Sequence, residues 1–419
     1  MPPLAEDASP QPVPPWLDGF LDAHLDELVA FRRRLHAHPE VSWAEVETTA
    51  AVIGRLRVAG LSPSQLPEST GLVCDLATGT ASSFEAPSDG RPVVALRADL
   101  DALAMEDEKD VAYRSTLPGV AHACGHDVHT TVVLGAALAL AEAVKEGELT
   151  GAFRFIFEPA EEALPGGAPS VIDAGALGGV SSMLGVHCDP KIDVGQVALR
   201  TGPITSAADM ARITILGPGG HTARPELTVN LLAVLGQVLS QVPERVAKAA
   251  APAEALVVFG STHGGDAPNV IPTRATATAT IRTPDVEAWE HAAELLEQAT
   301  RAVVEPTGAT LEFAYRKGVP PSVNAAAPTR SLRRAAASVV GEHNTVEAQH
   351  SRGGDSFAWY ARQVPASYAR LGTFNPASGA PRPDIHSGAF DVDERSIGIG
   401  VRLLVQAALA ERDRVAGAN

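Results

Sequence analysis

Three short apolar runs in this chain each end in acidic or imidazole side chains, and that pattern restricts the fold more than any other feature. Residues 93–97 run into Ala98-Asp99-Leu100-Asp101, 152–157 into Glu158, Glu161 and Glu162, and 183–186 into His187. Apolar runs of this length without polar alternation read as buried strands of an α/β layer. An Ala/Leu-rich helix is expected over 130–144, and the stretch 16–60 also reads as helical. There Leu21, Leu25 and Leu28 share one face, and a second helix is expected from about Trp43 to Ala59. Further helices are expected over 329–340 and 396–409, with 343–352 left unassigned. The alternation predicts an α/β fold with a largely parallel sheet. Ligands of open α/β sheets gather at the carboxyl ends of the strands, which is where these acids and the imidazole fall.

The segment from about 206 to 317 breaks that rhythm. It reads as strand (211–216), helix (229–249), strand (255–261), strand (275–282), helix (286–304) and strand (310–315). That order, βαββαβ, is the ferredoxin-like split motif. A chain of 419 residues is long for one core, so two domains are expected. Residues 16–205 and 318–419 would form a catalytic domain, and 206–317 a compact domain inserted into it. Residues 1–15 are rich in proline and acid and read as a disordered lead-in.

A net charge of −17 at pH 7 argues against nucleic acid or an anionic membrane as a partner. Residues 132–144, the most apolar stretch, are too few to span a bilayer. The first residues lack the basic and apolar regions of a signal peptide. Three cysteines cannot form a disulfide framework, so a reducing, cytoplasmic location is expected.

Acids and imidazoles converging on one sheet edge would repel one another or stay unsatisfied unless a cation held them. The segment His122-Ala-Cys-Gly-His-Asp-Val-His129 fits beside that edge. Its Cys124-Gly-His126 pair offers a thiolate and an imidazole, both good ligands for a borderline-soft divalent ion. Taken alone, Cys124 equally fits a small core residue, and Asp127 fits the N-cap of the helix that follows as well as it fits a functional group. Of the adjacent Glu161 and Glu162, one could hold metal while the other acts as general base toward water activated there. Two glycine turns, Gly217-Pro-Gly-Gly-His221 and Gly264-Gly-Asp-Ala-Pro-Asn269, bring an imidazole and an amide to loops of the inserted domain. Turn chemistry explains the glycines but does not require His221.

Together these residues resemble the metal-dependent aminoacylase/carboxypeptidase superfamily, and within it the amidohydrolases that include hippurate hydrolases, N-acyl-amino-acid amidohydrolases and auxin-conjugate hydrolases. The resemblance runs from about Phe31 to Arg402. It rests on Arg34-Leu-His-Ala-His-Pro-Glu40, Arg97-Ala-Asp-Leu-Asp-Ala-Leu103, His122-Ala-Cys-Gly-His-Asp127, Glu158-Pro-Ala-Glu-Glu162, Gly185-Val-His187, Gly219-Gly-His221, Asn269-Val-Ile-Pro272 and His386-Ser-Gly388 in the family's order. It implies two divalent ions (zinc, manganese or cobalt) held by Cys124, His126, Glu162, His187 and His386. It implies Glu161 as catalytic base with Asp101 in support, acting through a metal-bound hydroxide on the amide of an N-acyl amino acid or related small conjugate. It further implies a homodimer formed through the inserted domain, which closes over the site, with His221 of the partner subunit helping to stabilise the oxyanion and Asn269 nearby.

Arg224, Arg282 and Arg352 are candidates for binding the substrate carboxylate. Four features depart from the family pattern: Glu158 stands where glutamine is usual, Cys188 follows His187, Val229-Asn230 replaces an Asp-Pro pair, and Asp355-Ser356-Phe357 replaces Glu-Asp-Phe. Other readings are a dipeptidase or carbamoyl-amino-acid hydrolase of the same superfamily, a thiol hydrolase with Cys124 as nucleophile, and a binding protein without turnover.

Overall fold

The computed structural model describes residues 11–77, 79, 83–379 and 381–417. Of the expected lead-in, 1–10 lie outside the described residues, and the first helix, Pro15–Ala37, begins where that segment was expected to end. The chain divides into two units, residues 1–202, 323–349 and 359–419 in the first and 203–322 with 350–358 in the second. Segment 350–358 was read from sequence as part of the first.

In the first unit the apolar runs become strands because every residue of Val93–Asp99 and of Ala152–Glu158 is buried, leaving no polar edge to face water. They pair in parallel, and Val93–Asp99 also pairs in parallel with Val180–Asp193, which pairs in parallel with Ala366–Phe374. Leu72–Leu76 and Ser64–Gln65 extend one side of the sheet by antiparallel pairing. On the other side Val197–Leu199 is antiparallel to Ala366–Phe374 and parallel to Thr345–Glu347. The result is eight strands in a mixed sheet, where the sequence predicted a largely parallel one. The antiparallel pairings arise at short strands whose alternation is too brief to read.

Helix His126–Lys145 is apolar on nearly every side and lies in the core with Leu134, Leu138 and Leu140. It is long and apolar enough to cross a membrane by composition, but its burial makes it a core helix. Arg395–Ala416 packs beside it, and Gly135 and Gly400 allow close approach: a Cβ at either would come 2.7 Å from a valine methyl. The second helix, expected from Trp43, starts only at Val46, because residues 41–44 form a turn.

The second unit has a four-stranded sheet in the order Leu256–Gly264, Arg274–Arg282, Ala208–Leu216, Thr310–Val319, all antiparallel. With helices Leu231–Ala250 and Val286–Val304, its chain order is βαββαβ. Ala275, Ala277, Ala279 and Ile281 alternate inward and meet Leu231, Val234, Leu235, Val238 and Leu296 in a separate core. The first helix begins at Leu231 because the Asn230 side chain caps it, accepting from the backbone N–H of Leu232 and Ala233; Asp285 caps the second through Ala288.

Candidate metal centre

Strand Val93–Asp99 delivers Asp99 and, two residues on, Asp101, both almost fully buried. Asp101 accepts the backbone N–H of Glu161 at Oδ1 and of Glu162 at Oδ2, each at 3.0 Å, and the Ser42 hydroxyl at 2.6 Å. Its Oδ1 is also 3.2 Å from His126 Nδ1. A carboxylate can only accept, so that nitrogen carries the proton and His126 Nε2 is the atom left to hold a metal. His126 Nε2 is buried with no hydrogen-bond partner among the described residues. It stands 3.9 Å from Glu161 Oε2 and 3.8 Å from Glu162 Oε1.

Glu162 Oε1 is 3.2 Å from His386 Nε2, and Cys124 Sγ is 3.7 Å from His187 Nε2. His187 Nδ1 donates to the Cys188 carbonyl at 2.7 Å, which turns its Nε2 lone pair toward Cys124. Cys124, Glu162 and His386 thus form one set of convergent donors, and His126, Glu161 and Glu162 another, with Glu162 in both. A third grouping, Asp99, His126 and His129, does not make a comparable site. His129 donates from Nδ1 to Asp99 and accepts the Cys188 N–H at Nε2, each at 2.7 Å, so both ring nitrogens are committed.

Two backbone features make this convergence possible. Gly125 has φ +89°, and a Cβ there would lie 2.8 Å from the Cβ and Sγ of Cys188. Only glycine therefore lets Cys124 and His126 flank so tight a turn. Gly125, rather than Asp127, is the N-cap residue of the helix. The Asp127 carboxylate instead accepts from Arg32 Nε at 2.6 Å and from His36 Nδ1 at 2.7 Å. His386 also sits at positive φ, +59°, with its N–H bonded to the Ala123 carbonyl at 2.7 Å.

The electrostatics call for a cation. Burial pushes the Cys124 thiol well above its ordinary pKa, and Glu162 adds to the effect, so a thiolate forms only beside positive charge. Burial, with Arg370 and His129, holds His187 well below the usual imidazole range, as a neutral ligand must be. Burial works against the His126 imidazolium, but Asp99, Cys124 and Asp101 raise its pKa well above normal, and a divalent ion at Nε2 would take that proton's place. Asp99 stays ionised although burial opposes it, because His126, Arg97 and His129 surround it. His122, expected near the donors, is buried against His36 and kept neutral by burial, its pKa lowered to about 3. An orphaned imidazole nitrogen, a buried thiol, a second neutral imidazole and paired glutamates fit divalent cations.

The structure brings Cys124, His126, Glu161, Glu162, His187, His386 and Asp101 together in the first unit. His221, Asn269, Arg282 and Arg352 lie in the second. There His221 and Asn269 are neighbours on an exposed two-stranded ribbon: Val270 is opposite His221, and Thr222 N–H bonds the Asn269 carbonyl at 3.2 Å. His221 Nδ1 accepts from Ala223 N–H at 3.0 Å, leaving Nε2 as the N–H donor of the neutral ring. Arg282 is half-buried at a strand end, its pKa lowered by burial, and Arg352 is exposed. The supporting residues Ser42, Arg97 and His129 were not foreseen; only their place within or beside the recognised motifs pointed to them.

Asp101→Asn is expected to weaken metal affinity about 10–100-fold, the usual cost of losing an outer partner of a ligand. An amide has one acceptor oxygen for four donors, so the glutamate backbone and His126 cannot all stay held. Competition with a chromophoric chelator measures this.

The family model for peptidase family M20/M25/M40 matches residues 95–410. A relative from Rhodococcus jostii, named a glutamate–cysteine ligase, is 41% identical over 91% of this chain. This chain spans 46% of that protein, so the ligase name is not carried over. An Arabidopsis thaliana protein named IAA-amino acid hydrolase ILR1-like 4 is 35% identical over 93% of this chain and 86% of its own length. The solved Bacillus subtilis YXEP protein, described as a dinuclear metal binding peptidase from the M20 family, is 30% identical with a TM-score of 0.79, covering 94% of this chain and 99% of its own. The residues at the sheet edge, the family match and these relatives agree: the chain belongs to peptidase family M20/M25/M40 and is a metal-dependent amide hydrolase.

Proposed function

We propose that this protein hydrolyses the amide bond of N-acyl amino acids or related small amide conjugates, using two divalent ions held by Cys124, His126, Glu162, His187 and His386. The observation that carries this reading is the sharing of Glu162 by two donor sets, the second of which also contains the Glu161 carboxylate. The plant relative's name supports an acyl-amino-acid substrate. Bound cations supply Lewis acidity toward the scissile carbonyl and lower the pKa of water to roughly 7. Glu161 then takes the proton of the attacking water at a carboxylate oxygen and delivers it to the departing amine nitrogen. Asp101 fixes the backbone of both glutamates by accepting their N–H groups.

The second unit is read as a ferredoxin-like insert, supported by its chain order and its sheet order. In this reading the protein forms a homodimer, and the partner subunit's His221 offers its Nε2–H, with the Asn269 amide nearby, to the carbonyl oxygen as charge develops there. Arg282 and Arg352 would meet the substrate carboxylate. The thiolate suits zinc, while the carboxylates also admit manganese or cobalt. Three free, buried cysteines agree with a cytoplasmic location.

The test is hydrolysis of N-acetyl, N-benzoyl and long-chain N-acyl amino acids by chelator-stripped protein re-supplied with zinc, manganese or cobalt. Activity is expected to vanish on stripping and return with metal. Turnover that ignores the chelator but stops on alkylation would move the chemistry to Cys124 as nucleophile.

A further inference from the structure

Residues 41–44 form a β-turn closed by the Ala44 N–H to Val41 carbonyl bond at 2.9 Å. Trp43, its third residue, has φ +68°, and Ser42 is not among the positive-φ residues, which makes the turn type II-like. Glycine or asparagine suits that position, and a bulky side chain there is an outlier that persists only when its surroundings force it.

The surroundings are the metal-site loop. On one side of Trp43, the Ser42 hydroxyl donates to Asp101 Oδ2 at 2.6 Å. On the other, Glu45, fully buried, accepts the Ala160 N–H at Oε1 and the Thr70 hydroxyl at Oε2, each at 2.6 Å. Val41 also bridges to Ala102. Asp101 and Ala160 are the groups that set the backbone of Glu161 and Glu162. Both flanks of Trp43 are thus fixed to the loop carrying the proposed base, while Trp43 itself is 48% exposed and stands outside the apolar core. The turn holds a large aromatic side chain in water, in a conformation it disfavours, at a position fixed to the reacting carboxylates.

We infer that Trp43 forms a binding surface for the acyl group of the substrate and selects for aromatic or extended apolar acyl chains. This rests on the acyl-amino-acid reading above. The amino-acid half of such a substrate carries a carboxylate, which an indole face does not recognise; the apolar half is the acyl chain, and covering a half-exposed indole with it removes apolar area from water on both.

Trp43→Gly separates this role from a structural one, because glycine relieves the positive φ. The thermal midpoint of the metal-loaded variant is expected to hold or rise. Its kcat/KM is expected to fall at least tenfold more for N-benzoylalanine than for N-acetylalanine, and Trp43→Phe should restore most of the difference. A fall equal for both substrates, a lowered midpoint, or a changed elution volume with unchanged substrate preference would overturn the inference. Should wild-type protein cleave neither substrate, the acyl-amino-acid reading fails. Calorimetric titration of the metal-loaded protein with N-benzoylalanine then decides on Trp43: weaker binding by Trp43→Gly upholds it, and unchanged binding or none to wild type refutes it.

Discussion

Glu161→Gln should lower kcat by about 10²–10⁴, the range general base catalysis contributes, while metal content per chain stays at the wild-type value. The neighbouring Glu162→Gln should do the reverse at the first step and lose metal. The two side chains are adjacent in sequence and similarly buried, so the difference comes from what each faces. Glu162 Oε1 is 3.2 Å from His386 Nε2 and 3.8 Å from His126 Nε2, between the two donor sets. Glu161 Oε2 is 3.9 Å from His126 Nε2, and its backbone is fixed by Asp101 at 3.0 Å. A glutamine at 161 keeps the size and the backbone bond but cannot accept a proton. A glutamine at 162 replaces a charged ligand shared by both sets with a neutral one. Metal analysis of purified variants beside steady-state kinetics reads both effects. If Glu161→Gln lost metal and Glu162→Gln retained it without turnover, the two roles would be exchanged.

Much of this site was legible because the runs at 93–97, 152–157 and 183–186 are mostly apolar and lead into acids or a histidine. Asp99, Asp101, Glu158 and His187 announce a sheet edge before any geometry is known. The Cys124-Gly-His126 pair was legible as candidate ligands from two donors of the right softness beside a helix start. His386 was not legible from spacing. It reaches Glu162 through a loop whose only local signal is a left-handed residue bonded to Ala123, and such a contact has no sequence period. Asp127 was left open between a helix cap and a functional group. An acid at a helix start suits a cap, but Gly125 in the left-handed region already ends the loop, and burial beside Arg32 decides what the carboxylate does. Trp43 shows the same limit: its side chain suits the helix pattern around it, yet long-range bonds from Ser42 and Glu45 hold residues 41–44 in a turn. The second unit was readable as strands and amphipathic helices because Leu231–Ala250, Arg274–Arg282 and Val286–Val304 each bury one face.

The buried pair between Arg32 and Asp127 carries the second large effect. Both side chains are fully buried, and Arg32 Nε donates to Asp127 Oδ2 at 2.6 Å. The same guanidinium reaches Asp391 at 3.4 Å and Glu394 at 3.5 Å, and lies 4.9 Å from the centre of the Tyr113 ring. Burial works against both charges, yet Asp127 is held well below the usual carboxylate range by Arg32 and His36. Asp127→Asn leaves the guanidinium in a dry interior with its nearest counter-charge gone. The expected loss is about 3–5 kcal/mol, the cost of breaking a buried pair from one side. Arg32→Met should cost a similar amount by stranding Asp127. The double variant Arg32→Met/Asp127→Leu should be more stable than the sum of the singles predicts, since neither charge then remains buried without its partner. Chemical denaturation of all four proteins measures the cycle. Because Asp127 follows His126, and Asp391 lies in the segment after His386, the single variants should also bind metal more weakly than the double. Equal losses in singles and double would mean that the cost comes from lost packing, and Arg32 would then be a core side chain whose charge is incidental to the site.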